Sequence, residues 1–454
     1  MPDEIKLFPQ LELAAIFLGH CIDYFLKPKG ILSFVLPRSF FNAAQHEKIR
    51  NGCVNSCLIE EILDLNDVSP LFKVPCCVLY IRKKIGYTKK QEKFSGKTFV
   101  AKFNSRNVSY ETALNKLNVT STTFYLSHLN SYSAWSPNQN IQIFGLTPYF
   151  EKFKQGATLV PRSFYFVEID QEYDGNFDNR QFKIKTNDNI PKQIPWSNFS
   201  FSGSIKSSFL FKTALSNNIV PFGLIGSHLI ALPCIIINNK IKMVSAKEIE
   251  NKGDLISLDW FLQCEKTWEK YKTENCKDIS NIMWLNYQNK LTNQNLKHQY
   301  LIIYTASGLN AVSTIIDRNN FTLPFIVESK LYSYSTDNIN EAYYLIAFLN
   351  SYIANSIIKP FQSKGLYGER DIHKKILNIS FPEYDKDNDY HNKLSVLAKN
   401  SCEKVQNFIK DKNFNQYGNN MKPTELGKFR NKIRTVVNNE LNEIDIILKI
   451  ILNI

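Results

Sequence analysis

The chain has 454 residues, of which 44% are hydrophobic, and this predicts two or three folded units and excludes a disordered protein. Its net charge of +13 favours a polyanionic partner, because clustered cations release the counterions condensed on phosphates, although a membrane surface or simple solubility would also account for it. The nine cysteines show no evenly spaced framework and no CxxC pair, which favours buried thiols in a reducing cytoplasm. The alternative is a zinc site formed by Cys53, Cys57, Cys76 or Cys77 with His46.

Residues 1–90 are predicted to alternate between helix and strand. Apolar residues from Leu11 to Leu26 recur at spacings of three and four, which predicts a helix with one buried face, and its polar interruptions exclude a signal peptide or a membrane span. The apolar run Ile31–Leu36 is typical of a strand buried on both faces. Three more elements follow: a helix over Phe41–Cys53 and strands over Ile59–Leu65 and Cys76–Arg82. This order predicts the second half of a doubly wound α/β domain, and the glycine-rich cofactor turn of such a domain would lie upstream.

The rest of the chain changes character twice. Residues 91–150 are polar and weakly periodic, which predicts a connector that ends in a helix near Tyr149–Phe153. Residues 157–385 are predicted to form short strands and loops, with one clear helix over Glu341–Ile358 that Asn340 would cap. Residues 386–454 are predicted to form a helical tail, with helices near His391–Lys410 and over Thr424–Leu452. The fold class is therefore α/β and α+β: a partial Rossmann-like half-domain, a mixed α/β domain and helices.

Alternating cations occur near the start of the last predicted helix, at Lys428, Arg430, Lys432 and Arg434. Alternate residues diverge around a helix, so this spacing does not form one basic face. We therefore expect a solvated surface there.

Four stretches of sequence carry a resemblance to a known family. They are the phrase LKPKGILSFVLPRSF within residues 7–41, the segment VSPLFKV before the strand at Cys76, the segment GATLVPRSFYFV at 156–167, and residues 341–384. Together they resemble the site-specific DNA adenine-N6 methyltransferases of restriction-modification systems in which modification and recognition lie on one polypeptide. The resemblance implies that 1–90 is the second half of the catalytic domain and that 151–385 is the target-recognition domain.

The resemblance also gives Phe72 a role. At the matching position the family has an aromatic residue that packs against the target adenine once it has been turned out of the duplex. Flipping a base costs a few kcal/mol of stacking, and an aromatic face in the pocket restores part of it. The competing interpretation is that Phe72 is ordinary core at the entrance to a strand.

The loop from Gln362 to Lys375 is a candidate DNA contact. Gly365 and Gly368 would allow close approach to a phosphate, and the cations would neutralise several phosphates. The candidate DNA-binding residues are Arg162, Lys364, Gly365, Gly368, Arg370, His373, Lys374 and Lys375. Two alternatives stay open, because Arg370 could pair internally with Glu369 or Asp371, and Arg162 could form a structural salt bridge instead of meeting a phosphate or a guanine edge.

Two family motifs are missing from the sequence. It contains no Pro-Pro pair, hence no Asn-Pro-Pro-aromatic catalytic loop, and no glycine-rich turn that would cradle S-adenosylmethionine. The resemblance therefore implies that S-adenosylmethionine serves the intact family enzyme and that this chain alone has no cofactor, no metal and no catalytic residue. Double-stranded DNA is the expected partner, a separate polypeptide with the first half-domain is a second candidate, and no membrane is expected.

Two other classes of function compete with a split or truncated methyltransferase. The first is a DNA-binding module, similar to a specificity subunit, with no methyltransferase role of its own. The second is an unrelated interaction protein whose basic charge is incidental, for which DNA binding would be absent or independent of salt.

Overall fold

The computed structural model describes residues 13–50, 57–72, 74–83, 91–365, 368–411 and 421–454. Its chain divides into two compact units. The first comprises Met1–Phe150, Ser307–Leu309 and Ala354–Pro382, and the second comprises Glu151–Ala306, Asn310–Ile353 and Glu383–Ile454. Residues 354–382 thus cluster with the first unit, although the sequence suggested that they close a domain spanning 151–385.

The first unit is built on one mixed sheet with the strand order β1-β3-β2-β4-β5-β6 and a short β7 beside β5. Its strands are β1 Ile31–Pro37, β2 Cys57–Ser69, β3 Cys76–Lys83, β4 Lys93–Lys102, β5 Asn118–Leu129, β6 Tyr132–Pro137 and β7 Gln142–Ile143. Strands β1 and β2 both run antiparallel to β3, so they are parallel to each other, and β2 is also parallel to β4. The predicted strands over 59–65 and 76–82 are confirmed.

Two expectations for this sheet are wrong. Strand β1 is not buried on both faces, because it pairs only with β3 among the described residues, and Ile31 and Val35 are exposed. Residues 91–150 are not a connector, since they contain β4, β5 and β6, which are strands of this sheet with buried side chains. The segment near Tyr149–Phe153 is a run of turns and not a helix.

One face of this sheet is covered by the segments before and after β1. The helix α1 Leu13–His20 continues into a π-helical turn at Cys21–Phe25, which confirms most of the predicted helix. Its buried residues Ala15, Leu18 and Ile22 join Leu36, Ile62 and Leu79 in one core. The helix expected over 41–53 is instead a set of short turns, 3-10 at Arg38–Phe41 and Ala44–His46 and α-helical (α2) at Glu47–Arg50, and Cys53 lies outside the described residues.

The second unit holds two larger sheets and two hairpins. One sheet has six strands in the order β11-β10-β9-β15-β12-β20, and the other has four in the order β19-β18-β21-β8. The strands are β8 Lys154–Gln155, β9 Phe166–Ile169, β10 Gln181–Thr186, β11 Ser202–Lys206, β12 Leu210–Ala214, β13 Ile219–Val220, β14 Gly223–Leu224, β15 His228–Ala231, β16 Cys234–Ile237, β17 Lys240–Met243, β18 Tyr300–Thr305, β19 Ser313–Asp317, β20 Phe325–Val327 and β21 Leu331–Thr336. These short strands confirm the prediction for 157–385.

Helices complete both units. After α1 and α2 they are α3 Tyr110–Lys116, α4 Arg162–Tyr165, α5 Ala246–Asn251, α6 Leu255–Tyr271, α7 Asn281–Leu285, α8 Ile339–Asn350, α9 Tyr352–Ile358, α10 Asp389–Asp411, α11 Pro423–Val436 and α12 Asn438–Leu452. The helix near 391–410 is confirmed, and α6 was not predicted. The helix expected over 341–358 breaks at Ser351 and is capped by Asn338 rather than Asn340, and the last helix breaks at Val437. The mixed α/β class with a helical tail is confirmed.

The expectation of a solvated basic surface on α11 is wrong for two of its four cations. Arg430 and Arg434 are four residues apart and therefore share one helix face. Arg430 donates to the carbonyls of Ser216 and Ile219, and the buried Arg434 donates to Asn350 at the end of α8 over 2.9 Å. Lys428 and Lys432 lie on the exposed side.

Candidate functional site

A buried ion pair joins Arg38, directly after β1, to Asp64, the residue of β2 at which the pairing with β3 ends. In the register of the sheet, Cys77 of β3 lies between Leu36 and Asp64, so Arg38 reaches across β3 to Asp64. Its Nε lies 2.9 Å from Asp64 Oδ1 and its Nη2 lies 2.8 Å from Oδ2, a bidentate arrangement. The side chains of Arg38 and Asp64 are only 16% and 7% exposed. This pair fixes the turn after β1 against Asp64 of β2.

The ion pair of Arg38 and Asp64 shifts the pKa of Arg38 itself and of the neighbouring Cys76. Burial alone would lower the pKa of Arg38, but the Asp64 carboxylate outweighs it, and the net effect raises that pKa. The Arg38 guanidinium also lies 4.5 Å from the centre of the Phe41 ring. Burial, with a smaller contribution from Asp64, raises the pKa of Cys76 to about 11. Cys76 is therefore a protonated thiol at neutral pH and not a reactive nucleophile.

Phe72 lies in the loop that joins β2 to β3. This loop is tied at both ends, since the amide of Phe103 donates to Ser69 O and the amide of Arg38 donates to Pro75 O over 2.9 Å. Leu71 packs on a small core with Val68 and Phe103, whereas Phe72 is 52% exposed. The interpretation of Phe72 as ordinary core is therefore wrong, and its role in holding a flipped adenine stays a prediction.

The loop at 362–375 also belongs to the first unit. Asn42 Nδ2 donates to the carbonyls of Pro360 and Gln362, and Gln362 Nε2 donates to Gly308 O over 3.1 Å. Beyond this anchor, Lys364–Gly365 pairs with Gly368–Glu369 as a small hairpin. The side chains of Lys364 and Glu369 lie outside the described part of the structure. The phosphate contacts predicted for Lys364, Gly365 and Gly368 stay predictions, as does an ion pair between Glu369 and Arg370.

The cations of this loop differ in how much they are engaged by the protein. Arg370 is exposed, so its guanidinium is accessible to a phosphate. Lys374 Nζ donates to Phe150 O over 2.7 Å and lies 4.4 Å from the Phe150 ring centre. Lys375 Nζ donates to Asp371 O over 2.8 Å, and burial lowers the pKa of Lys375. Lys374 and Lys375 therefore help to hold the loop, which the sequence did not reveal.

The backbone of the same loop adopts unusual conformations. Asp371 and His373 have φ values of 57° and 39°, in the left-handed region that L-residues rarely occupy. Asp371 accepts a hydrogen bond from Ser363 Oγ across the base of the loop, and its other oxygen lies 3.7 Å from His373 Nε2. Such conformations persist only where surrounding contacts hold them, and they are enriched at binding sites.

Arg162, the remaining candidate, lies in the second unit at the start of α4. Its Nη1 donates to Pro191 O over 3.1 Å, and its guanidinium lies 5.8 Å from the centre of the Phe166 ring. Two buried titratable groups lie near it. The pKa of Glu328 is raised by burial, and the pKa of His228 is lowered to about 4 by burial and, to a smaller degree, by Arg162 and Lys212. Arg162 thus has a structural partner, and its contact with DNA stays a prediction.

The sequence interpretation missed the Arg38–Asp64 pair. The sequence did contain a pattern that indicates such a pair. Alternation along β2 places Ile62 and Asp64 on the same buried face, and a carboxylate on a buried face requires a cationic or hydrogen-bonding partner. Arg38 directly follows β1, where the carboxyl ends of parallel strands meet.

Other kinds of site were searched within the described residues. No group of three or more His, Cys, Asp or Glu side chains there could hold a metal ion, and seven cysteines are free thiols, including Cys76 and Cys77. Cys53 and the side chain of Cys57, which the alternative zinc site also requires, lie outside the described residues. No helix in these parts of the chain is long and apolar enough to cross a membrane.

Comparisons of sequence find no relatives, since no family model and no curated protein matches the chain. Comparison of structures shows a fold shared with a restriction-modification enzyme. MmeI, a type IIL restriction-modification enzyme solved in complex with DNA, is 11% identical, with a TM-score of 0.53 over 97% of this chain and 52% of its own. The type IIG restriction endonuclease BpuSI is 10% identical, with a TM-score of 0.29 over 97% of this chain and 51% of its own. The chain thus spans about half the length of these neighbours. The likeness to MmeI establishes the fold and nothing about activity.

Proposed function

We propose that this chain is the target-recognising portion of a restriction-modification DNA adenine-N6 methyltransferase and supplies part of the pocket for the flipped adenine. The observation that carries the proposal is the exposed Phe72, held beside the carboxyl ends of two parallel strands in a fold shared with MmeI. Ligands of open α/β sheets bind outside these strand ends. An aromatic ring that is half exposed at such an edge is available to stack on a base.

In this proposal each part of the first unit has a separate task. The Arg38–Asp64 pair fixes Arg38, whose amide holds the β2–β3 loop at Pro75, so that Phe72 meets the adenine with little loss of loop entropy on binding. Arg370 contacts the phosphate backbone, while Lys374 and Lys375 hold the loop that presents it. The second unit, with Arg162, reads the base sequence.

The methyl donor does not fit the residues at this edge. S-adenosylmethionine supplies the methyl group to adenine N6 in the family that the chain resembles. Here the turn after β1 is Pro37-Arg38-Ser39-Phe40, without glycine, and its Arg38 is engaged by Asp64. We therefore propose that the donor is held by another half-domain and that this chain alone has no methyltransferase activity.

The test is a measurement of DNA affinity with and without the Phe72 ring. A duplex selected for binding from a random pool is prepared with each adenine in turn placed opposite an abasic site, which lowers the cost of flipping that adenine. One such adenine should tighten binding by the intact chain, and Phe72→Ala should weaken binding to that duplex by about 5- to 150-fold, the range of base–aromatic stacking.

The control is Tyr110→Ala, which removes another exposed aromatic ring from the same unit. It should leave the affinity unchanged. DNA binding that is sequence-selective but indifferent to Phe72→Ala would contradict the adenine pocket and support the specificity-subunit alternative.

A further inference from the structure

A cleft in the second unit is lined by the outer strand β19, the hairpin of β13 and β14, and the helices α8 and α10. Its volume is about 450 Å³, and ligand pockets in proteins run from about 300 to 1,000 Å³. All of the described residues that line it belong to the second unit. The cleft is therefore large enough to hold a small molecule.

Strand β19 contributes free backbone groups to this cleft. It is the outer strand of its sheet, and the bond from Arg318 N to Gln299 O sets the phase of its ladder with β18. Because bonding residues alternate in an antiparallel pair, Ser313 and Ile315 point away from β18. The amide of Phe222 donates to Ser313 O over 3.0 Å, whereas the amide and carbonyl of Ile315 have no partner within the described parts of the chain. Since Ile315 lines the cleft, a ligand there can bond to them.

Aromatic side chains and a carboxylate also line the cleft. Tyr300 of β18 lies directly opposite Asp317 of β19, so their side chains share one face of the sheet. Tyr343 of α8 and Phe321 add two more rings, and all four side chains are half-buried. Aromatic rings attract cations to their faces and stack on planar groups. This lining therefore suits a planar ligand that carries a positive charge.

The charge of this cleft is opposite to that of the whole chain. Among the described residues that line it none is Lys, Arg or His, and Asp317 is the one that carries a charge, although the chain has a net charge of +13. Burial raises the pKa of Tyr343 to about 12, and the carboxylates of Glu403 and Asp317 act in the same direction. The potential in the cleft is therefore negative, which disfavours a phosphate and favours a cation.

We propose that this cleft binds a small planar organic cation of the amidinium or guanidinium class. The N–H groups of the ligand donate to Asp317 and to the carbonyl of Ile315, and its plane packs against the rings of Tyr300 and Tyr343. Asp317 Oδ1 accepts from the amide of Asn319 over 3.0 Å, which leaves Oδ2 for a charge-assisted bond to the ligand. This binding site is separate from DNA recognition and does not depend on the proposed function.

Three probes that share a benzene ring and differ in charge test this proposal. Benzamidine is cationic, benzamide is neutral and benzoate is anionic. Binding of each probe to the full chain is measured by saturation-transfer NMR over a series of probe concentrations. Benzamidine should bind with a dissociation constant of about 1 mM, as expected for so small a ligand. Benzamide and benzoate should bind at least about tenfold more weakly, because neither forms a charge-assisted bond to Asp317 or a cation–π contact.

Two variants locate the binding site. Asp317→Asn should weaken benzamidine binding about tenfold, because it removes the charge while the Asn side chain can still accept from the amide of Asn319. Tyr343→Leu should weaken it about threefold or more through loss of the ring. The matched control Asp259→Asn, which removes an exposed carboxylate of α6 outside the cleft, should leave the affinity unchanged.

Circular dichroism and melting of each variant establish that it folds. Benzoate binding as tight as that of benzamidine would overturn the inference, since the cleft would then not select a cation. Absence of benzamidine binding at about 10 mM would overturn it as well. So would a benzamidine affinity of the folded Asp317→Asn variant equal to that of the parent chain.

Discussion

Replacing Asp64 by Asn should destabilise the first unit more than an ordinary polar substitution. The Asp64 carboxylate accepts hydrogen bonds from Arg38 Nε, Arg38 Nη2 and the amide of Asn66, and it is 7% exposed. The Asn side chain has the shape of the Asp side chain but no charge, and its NH2 group would face the Arg38 guanidinium. Breaking a buried pair by removing one partner costs about 3 to 5 kcal/mol. Because Arg38 is 16% exposed and also contacts the Phe41 ring, we expect about 3 kcal/mol.

The assay is urea unfolding followed by hydrogen exchange of segments in the first unit, because four of the five tryptophans lie in the second unit and fluorescence would report mainly on that unit. The double variant Arg38→Met/Asp64→Leu is the matched control, because exchanging both partners for apolar residues of similar size is often nearly neutral. We expect it to recover most of the lost free energy of unfolding. If the free energy of unfolding of Asp64→Asn lies within about 1 kcal/mol of that of the parent chain, the pair does not hold β2 at Asp64 and this reasoning is wrong.

Three other predictions concern single groups. Arg434→Met should lower the free energy of unfolding by about 2 to 4 kcal/mol, because it leaves the carbonyl of Asn350 without its buried donor, whereas Lys432→Met on the exposed side should change it by less than about 0.5 kcal/mol. His228 is neutral in the fold, because its pKa is lowered from 6.5 to about 4. Between these two pH values unfolding therefore binds a proton, and the free energy of unfolding should fall by up to about 3 kcal/mol as the pH drops from 6.5 to 4. His228→Gln should flatten this dependence in urea titrations at a series of pH values. Calorimetric titration should detect no micromolar binding of S-adenosylmethionine, and such binding would contradict the assignment of the donor to another half-domain.

The sequence predicted elements whose local pattern matches their burial. Strands β2 and β3 and helix α10 combine a clear period with punctuation at their ends, so residues 59–65, 76–82 and 391–410 were placed correctly. The position of β1 in the sequence was predicted correctly but its burial was not, because an apolar run has the same pattern in the centre of a sheet and at its edge. What distinguishes them is the number of neighbouring strands, a property of the whole fold.

Other elements were missed because tertiary contacts outweigh local preference. Strand β4 alternates from Lys93 to Lys97 and loses this alternation at Thr98–Phe99, and its exposed positions over that first half are Lys and Ser, so the segment resembled a linker. The helix α6 mixes charged residues with buried Trp260 and Trp268, which hid its period. Arg430 and Arg434 were judged from i,i+2 spacing, although it is their i,i+4 relation that places both on the buried face.

The sequence predicted several residues of the candidate site but not their exposure or their bonds, because these depend on tertiary contacts. Exposure of Phe72 depends on the turn that follows β2, which sequence did not specify. The internal bonds of Lys374 and Lys375 depend on Phe150 and on the left-handed backbone at Asp371, and neither is visible in a pattern of charges. Among the side chains of this loop that the structure describes, Arg370 is an exposed cation.

The decisive measurement for the recognition role is the salt dependence of affinity for duplex DNA. The recognition role predicts that log affinity falls linearly with log salt, and that Arg370→Gln reduces the slope by about one while the sequence preference and the melting temperature persist. Lys428→Gln, which removes an exposed cation from α11, should leave the slope unchanged. Binding that is absent, or that does not change between low and high salt in a folded chain, would contradict the account and favour an interaction protein whose positive charge is incidental.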